Sequence, residues 1–191
     1  MTYQRNVIAI LCLALGLLTT TSGRASTGFP ERIQLENHEL QRIGSGTARY
    51  AGIITVYQAV LYAPASTARG NILDTDVPKR LEIVYSRSIE KAHLIEAAEH
   101  ALERQQTPEI LDRWRSTIDE LHAAYQDVSA GDRFALVLLP EKGLSLELNG
   151  QGLLRIDKPD FARIYFGIWL GETPLSASLR DDLLPTDCCQ Q

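Results

Sequence analysis

His93, Glu96 and His100 fall at i, i+3 and i+7, so they share one face of a helix. Imidazoles and a carboxylate so placed are the donor types of a metal site. The opposite side of that segment carries Leu94, Ile95, Ala98, Ala101 and Leu102. The apolar side packs inward, the histidine face is solvated, and no metal is expected. Tyr57, Tyr62, Tyr85 and Tyr165 sit in apolar segments, where a buried phenol needs a hydrogen-bond partner. They read as core and rim packing, or as the lining of a cleft beside Arg49. Arg49 itself reads two ways. It is a surface arginine at a strand start, paired with an acid, or a guanidinium that grips a carboxylate or phenolate at two points. No Gly-x-Ser-x-Gly is present, and Gly44-Ser45-Gly46 is too short and lacks the lysine of a phosphate loop. Neither a nucleophile triad nor a cofactor is expected.

The elements that must position these residues follow from periodicity. Ile33 to Ile43 reads as a hairpin about Glu36-Asn37-His38, and Gly44 to Thr47 as flexible backbone. Arg49 to Tyr62 alternates as one long strand, apolar on both faces. Residues 64–78 read as a loop, and Arg80 to Ser86 as a strand. Ser88 caps a helix that runs to Arg104. Thr107-Pro108-Glu109 starts a second helix, with a stripe of Ile110, Leu111, Trp114, Ile118, Leu121, Tyr125 and Val128. Arg133 to Leu139, Leu144 to Leu148 and Leu153 to Ile156 form a meander that turns at Asn149-Gly150. Pro159 opens a last helix with Phe161, Ile164, Tyr165 and Ile168 on one face. Gly171 and Pro174 stop it before a short final helix. Blocks of strands alternating with blocks of helices indicate an α+β fold, an antiparallel sheet packed on a helical layer.

The N-terminus reads as an export signal. Arg5 precedes a 12-residue apolar run, Val7 to Leu18, shorter than the roughly 20 residues a spanning helix needs. Small residues at Gly23 and Ala25 place cleavage after Ala25, leaving a single domain, 26–191. A periplasmic or secreted location follows, with no stable membrane insertion after cleavage. The whole chain carries a formal charge of −5. The processed chain has 17 basic and 24 acidic residues, a charge of −7. An acidic chain without a basic stripe argues against nucleic acid and against an anionic membrane surface. Only the adjacent Cys188 and Cys189 survive processing, so cysteines do not hold the fold.

Several motifs occur together in order. Gly44-Ser45-Gly46-Thr47-Ala48-Arg49 is followed by Tyr57, Ala59, Leu61 and Tyr62; then come Leu81-Glu82-Ile83-Val84-Tyr85, Gly131-Asp132-Arg133-Phe134 and the terminal Trp169-Leu170-Gly171. In this the chain resembles the bacterial chalcone-isomerase-like proteins, over most of its processed length. The resemblance implies a large antiparallel sheet with helices over one face and an apolar cleft between them. Some members of that family cyclise chalcones without a cofactor. Others bind fatty acids in an apolar tunnel, holding the carboxylate with an arginine. Arg49 matches the position of the site arginine. Thr55 and Tyr57 lie near the position of a catalytic threonine. The helix expected to supply a Tyr and an Asn reads His93 to His100 and has neither, and Ile168 aligns with a threonine.

The leading expectation is a non-catalytic binder of a small amphipathic molecule such as a fatty acid, with Arg49, Thr55, Tyr57, Tyr85 and Tyr165 as ligand contacts. The alternatives are an intramolecular lyase for chalcone-like enones, in which Arg49 stabilises oxyanion charge, and a protein-interaction module with no ligand.

Overall fold

The structure is a computed structural model that describes residues 28–185. The expected export signal and the Cys188-Cys189 pair lie outside the described residues. Seven strands form one antiparallel sheet in which every chain neighbour is a spatial neighbour. They are β1 (Arg32–Leu35), β2 (His38–Tyr50), β3 (Ile54–Ala63), β4 (Lys79–Tyr85), β5 (Arg133–Leu139), β6 (Gly143–Leu148) and β7 (Gln151–Ile156). Helices α1 (Lys91–Gln105) and α2 (Pro108–Ala124) lie between β4 and β5; α3 (Pro159–Leu170) and α4 (Ala177–Leu183) follow β7. The fold is α+β, as the block order predicts.

Period-two alternation sorts the side chains of the sheet. Ala59, Leu61, Ile83, Phe134, Leu136 and Leu146 join the main core with Phe161, Tyr165 and Ile168 of α3. Val60 and Tyr62 form a small cluster with Leu40 on the other face, where Ala135 and Val137 form a second. That face also carries charge: Arg80 donates to Glu82 at 3.0 Å and to Glu147 at 2.7 Å. Lys79 is buried at the start of β4. Its ammonium donates to the carbonyls of Asp74 and Val77 and lies 5.4 Å from the Phe166 ring centroid. Burial lowers its pKa to about 8, while Asp74 and Asp76 oppose the shift. This lysine ties the 64–78 loop beneath α3.

Three element boundaries differ from expectation, each for a packing reason. The single strand expected over Arg49 to Tyr62 is the meeting of two. Ala51 and Gly52 both adopt positive φ, 50° and 74°, and the Ile53 amide donates to the Tyr50 carbonyl at 3.1 Å. That is a tight primed-type hairpin turn. Gly44 to Thr47 is strand, not flexible backbone. Its glycines serve α4: a Cβ at Gly44 would stand 2.4 Å from the Asp182 carbonyl oxygen. Finally, Ile89 and Val128 exchange backbone hydrogen bonds at 2.9 and 3.0 Å. That bridge delays α1 to Lys91 and draws Val128 out of the α2 stripe. Among the described residues no helix is long and apolar enough to cross a membrane.

Candidate functional site

Tyr57 of β3 and Tyr85 of β4 are register partners, so the sheet sets them side by side on the helix-facing surface. Their rings meet edge to face, with centroids 5.9 Å apart. Tyr85 meets Phe134 of β5 at 6.0 Å, and Phe134 meets Tyr125 at 5.4 Å. Tyr125 follows α2 in extended conformation. Its hydroxyl is 2.8 Å from that of Tyr165 on α3. One turn further on, the Tyr165 ring lies 6.4 Å from that of Trp169. The Trp169 indole N–H then donates to the Tyr57 hydroxyl at 3.2 Å. Six aromatic side chains thus close a circuit between sheet and helices. Mixed edge and tilted contacts of this kind add stabilisation beyond burial.

A cavity of about 20 Å³ lies against this circuit, with Tyr85, Tyr125, Phe134 and Trp169 as its aromatic wall. Ile83, Leu136 and Leu146 form its aliphatic wall. That is room for about one water molecule. The phenols are neutral donors at any physiological pH. Burial pushes Tyr57 up to about 12, a rise that the Trp169 hydrogen bond only moderates. Burial also pushes Tyr125 to about 12, against the hydrogen bond from Tyr165. Tyr85 and Tyr165 are held well above the ordinary phenol range, again mainly by burial. Groups this weakly acidic position polar atoms by hydrogen bonding; they do not supply a base near neutrality.

Behind the circuit sits His122 of α2, which is buried. Its ring stacks on Tyr125 at 5.8 Å and stands 6.0 Å from Tyr165. Nδ1 lies 3.3 Å from Oε1 of Glu99, and Arg115 donates to both oxygens of that carboxylate, at 2.7 and 3.3 Å. Nε2 is buried and has no hydrogen-bond partner among the described residues. Burial lowers the His122 pKa below its ordinary value, outweighing the opposing pull of Glu99. The imidazole is therefore neutral at physiological pH.

Of the residues expected at a ligand site, Tyr57, Tyr85 and Tyr165 are brought together. Arg49 and Thr55 are not. They pair with each other beside the β2–β3 turn. Ala48 pairs with Tyr57, whereas the next pair is Arg49 with Thr55, so the register slips at Val56. Ala48 lies in the main core, so alternation sends the adjacent Arg49 to the other face, and the bulge at Val56 brings Thr55 to that face with it. Arg49 is exposed, on a hairpin end where Tyr50, Ile53 and Ile54 are also exposed. It does not lie beneath the cleft and supplies no charge there. Tyr125, Phe134, Trp169 and His122 were not among the expected contacts. The signal for Tyr125 was its place at the end of the α2 stripe, where it reads equally as core. His93, Glu96 and His100 are exposed on α1. Ile168 is fully buried.

A family model described as chalcone isomerase-like matches residues 23–185. Among solved structures, the fatty-acid binding protein of Arabidopsis thaliana has a TM-score of 0.63 and 16% identity to this chain. The match covers 82% of this chain and 90% of that one. At that identity the likeness is one of fold. No curated relative matches this sequence.

Proposed function

Because this chain belongs to the chalcone isomerase-like family, we propose that it binds a small amphipathic molecule between sheet and helices and catalyses nothing of its own. The observation that carries this is the aromatic circuit. It concentrates neutral phenol and indole donors in one patch of the core, beside a small cavity. Apolar walls with a few fixed donors are the usual make-up of a small-molecule site. The fatty-acid binding protein with the same fold makes fatty acids the first class to test. A fatty acid here would meet phenol hydroxyls, not Arg49. Lyase chemistry on an enone loses support for the same reason, since the group that was to stabilise oxyanion charge faces away.

A cavity of about 20 Å³ is far below the roughly 300–1,000 Å³ of occupied ligand pockets, so the ligand must part the circuit. The Trp169–Tyr57 hydrogen bond is the contact that must break. The same closure favours a second reading, a partner-binding module without a small ligand. With the export signal read over residues 1–25, the periplasm is the compartment we propose.

Mass spectrometry of protein recovered under native conditions tests this, together with fatty-acid titrations followed by tryptophan fluorescence. Bound lipid, and a fluorescence change that Tyr57→Phe alters, are expected. A ligand-free protein whose fluorescence no fatty acid perturbs would leave the partner-module reading in possession.

A further inference from the structure

The side of α3 that faces away from the sheet borders a much larger concavity. It is a groove of about 720 Å³ where the end of α1, the start of α2 and α3 meet. Leu73, Ile110, Trp114 and Ile164 supply apolar lining, and Arg104, Arg113 and Arg163 stand along it. Past Gly171 it continues into a second hollow of about 490 Å³ that adds Arg69 and Arg180. These arginines come from five separate segments of a chain whose net charge is −5. Against them the lining holds two acids, Asp160 and Glu172.

Three of the five arginines are at least partly neutralised. Arg163 stands 3.6 Å from Asp74, and Arg69 and Arg180 share Asp181 at 3.3 and 3.0 Å. Arg104 donates to the carbonyls of Thr173 and Pro174, at 3.4 and 2.8 Å, and to no carboxylate among the described residues. Arg113 has no ion pair or hydrogen bond among the described residues. Two charges therefore remain uncompensated beside an apolar floor. Gln105 gives a separate pointer. Its side-chain oxygen packs so closely on α3 that a Cβ at Gly167 or Gly171 would stand 2.8 or 2.6 Å from it. Gln105 is one of the groove's lining residues, and its Nε2 is buried with no hydrogen-bond partner among the described residues. A donor left so calls for an acceptor that the protein itself does not supply.

We propose that this groove is a binding site for an anionic amphiphile. The oxyanion head lies between Arg104 and Arg113, beside Gln105, and the apolar body rests on Trp114, Ile110 and Ile164. Guanidinium forks suit such a head in geometry and in charge. The groove volume falls in the range of small-molecule pockets. This site is separate from the aromatic circuit, which lies on the opposite side of α3 and has no cation of its own to hold an anion.

The test is calorimetric titration of the full chain with dodecanoate, dodecyl phosphate and uncharged dodecanol. Both anions are expected to bind more tightly than dodecanol, and the advantage should shrink as salt is raised. Arg104→Gln combined with Arg113→Gln should weaken the anions by roughly tenfold or more and leave dodecanol unchanged. Trp114→Phe should remove the fluorescence response, while Tyr57→Phe should leave binding at the groove intact. Equal affinity for anion and alcohol overturns the site, as does indifference to the arginine pair. Binding that responds only to Tyr57→Phe also overturns it, and would instead support the aromatic cleft.

Discussion

The two sides of α3 solve opposite problems. Toward the sheet, Phe161, Tyr165 and Ile168 are fully buried, and aromatic rings interlock until about 20 Å³ is left. Away from the sheet, Arg163 and Ile164 are only partly covered, and Gly167 offers no side chain at all. There about 720 Å³ stays open. Large rings fill space on one side because neighbouring strands and helices present rings at matching heights. On the other side, small residues and long charged ones border a space that nothing else fills. A close-packed interior resists a ligand, whereas a groove already formed admits one without reorganisation. The comparison teaches that the aromatic circuit holds the fold first and binds only by opening, whereas the groove needs no opening.

Changes on the packed side should cost most. Phe161→Ala removes a fully buried ring that packs on Trp114 at 5.5 Å and on Tyr165 at 5.6 Å. It should destabilise by about 3–5 kcal/mol, measured by urea denaturation. A cost below 1 kcal/mol would mean that this side is looser than the rings imply. Tyr165→Phe keeps the ring but strands the Tyr125 hydroxyl. A loss of about 1–3 kcal/mol is expected. Tyr125→Phe in the same background should restore part of it, since no orphaned hydroxyl then remains.

His122 gives the comparison a pH axis. Burial holds its folded-state pKa below the ordinary 6.5, so in that window the unfolded chain binds more protons than the folded one. Its contribution is complete above about 6.5 and declines as pH falls from there toward the folded value. Thermal melts of His122→Gln should lose that part of the acid-side decline. A variant with an unchanged slope would show that other groups set it. Smallest of all, Arg113→Gln on the open side should leave stability within about 0.5 kcal/mol, because the side chain packs on little and pairs with nothing described. A larger loss would make the groove arginine a structural group and undercut the comparison.

The helical and meander elements were legible because each declares itself locally. Thr107-Pro108-Glu109 starts α2 at Pro108, and β5 spans Arg133–Leu139 as its apolar run predicts. Tyr57, Tyr85 and Tyr165 were picked out as phenols in apolar segments, and the fold does assemble them. Arg49 shows the limit. Its neighbours along the chain suggested a strand running on to Tyr62, and the family pattern placed it at a ligand. The turn at Ala51-Gly52 ends that strand, and Arg49, next to inward-facing Ala48, emerges on the other face. Gly44 and Gly46 read as flexible backbone, because only the arrival of α4 explains why a side chain cannot stand there.

By itself, then, the sequence determined most of the helices and the meander, the α+β class and the family, since periodicity, caps and motif order act over a few residues at a time. The tertiary structure alone decided which charges and rings meet. The acidic chain shows no basic stripe, yet Arg69, Arg104, Arg113, Arg163 and Arg180 line two adjoining hollows. The physical reason is that a potential depends on distances in space. Residues over a hundred positions apart become neighbours only when helices cross, and one residue of register decides the face on which a side chain emerges.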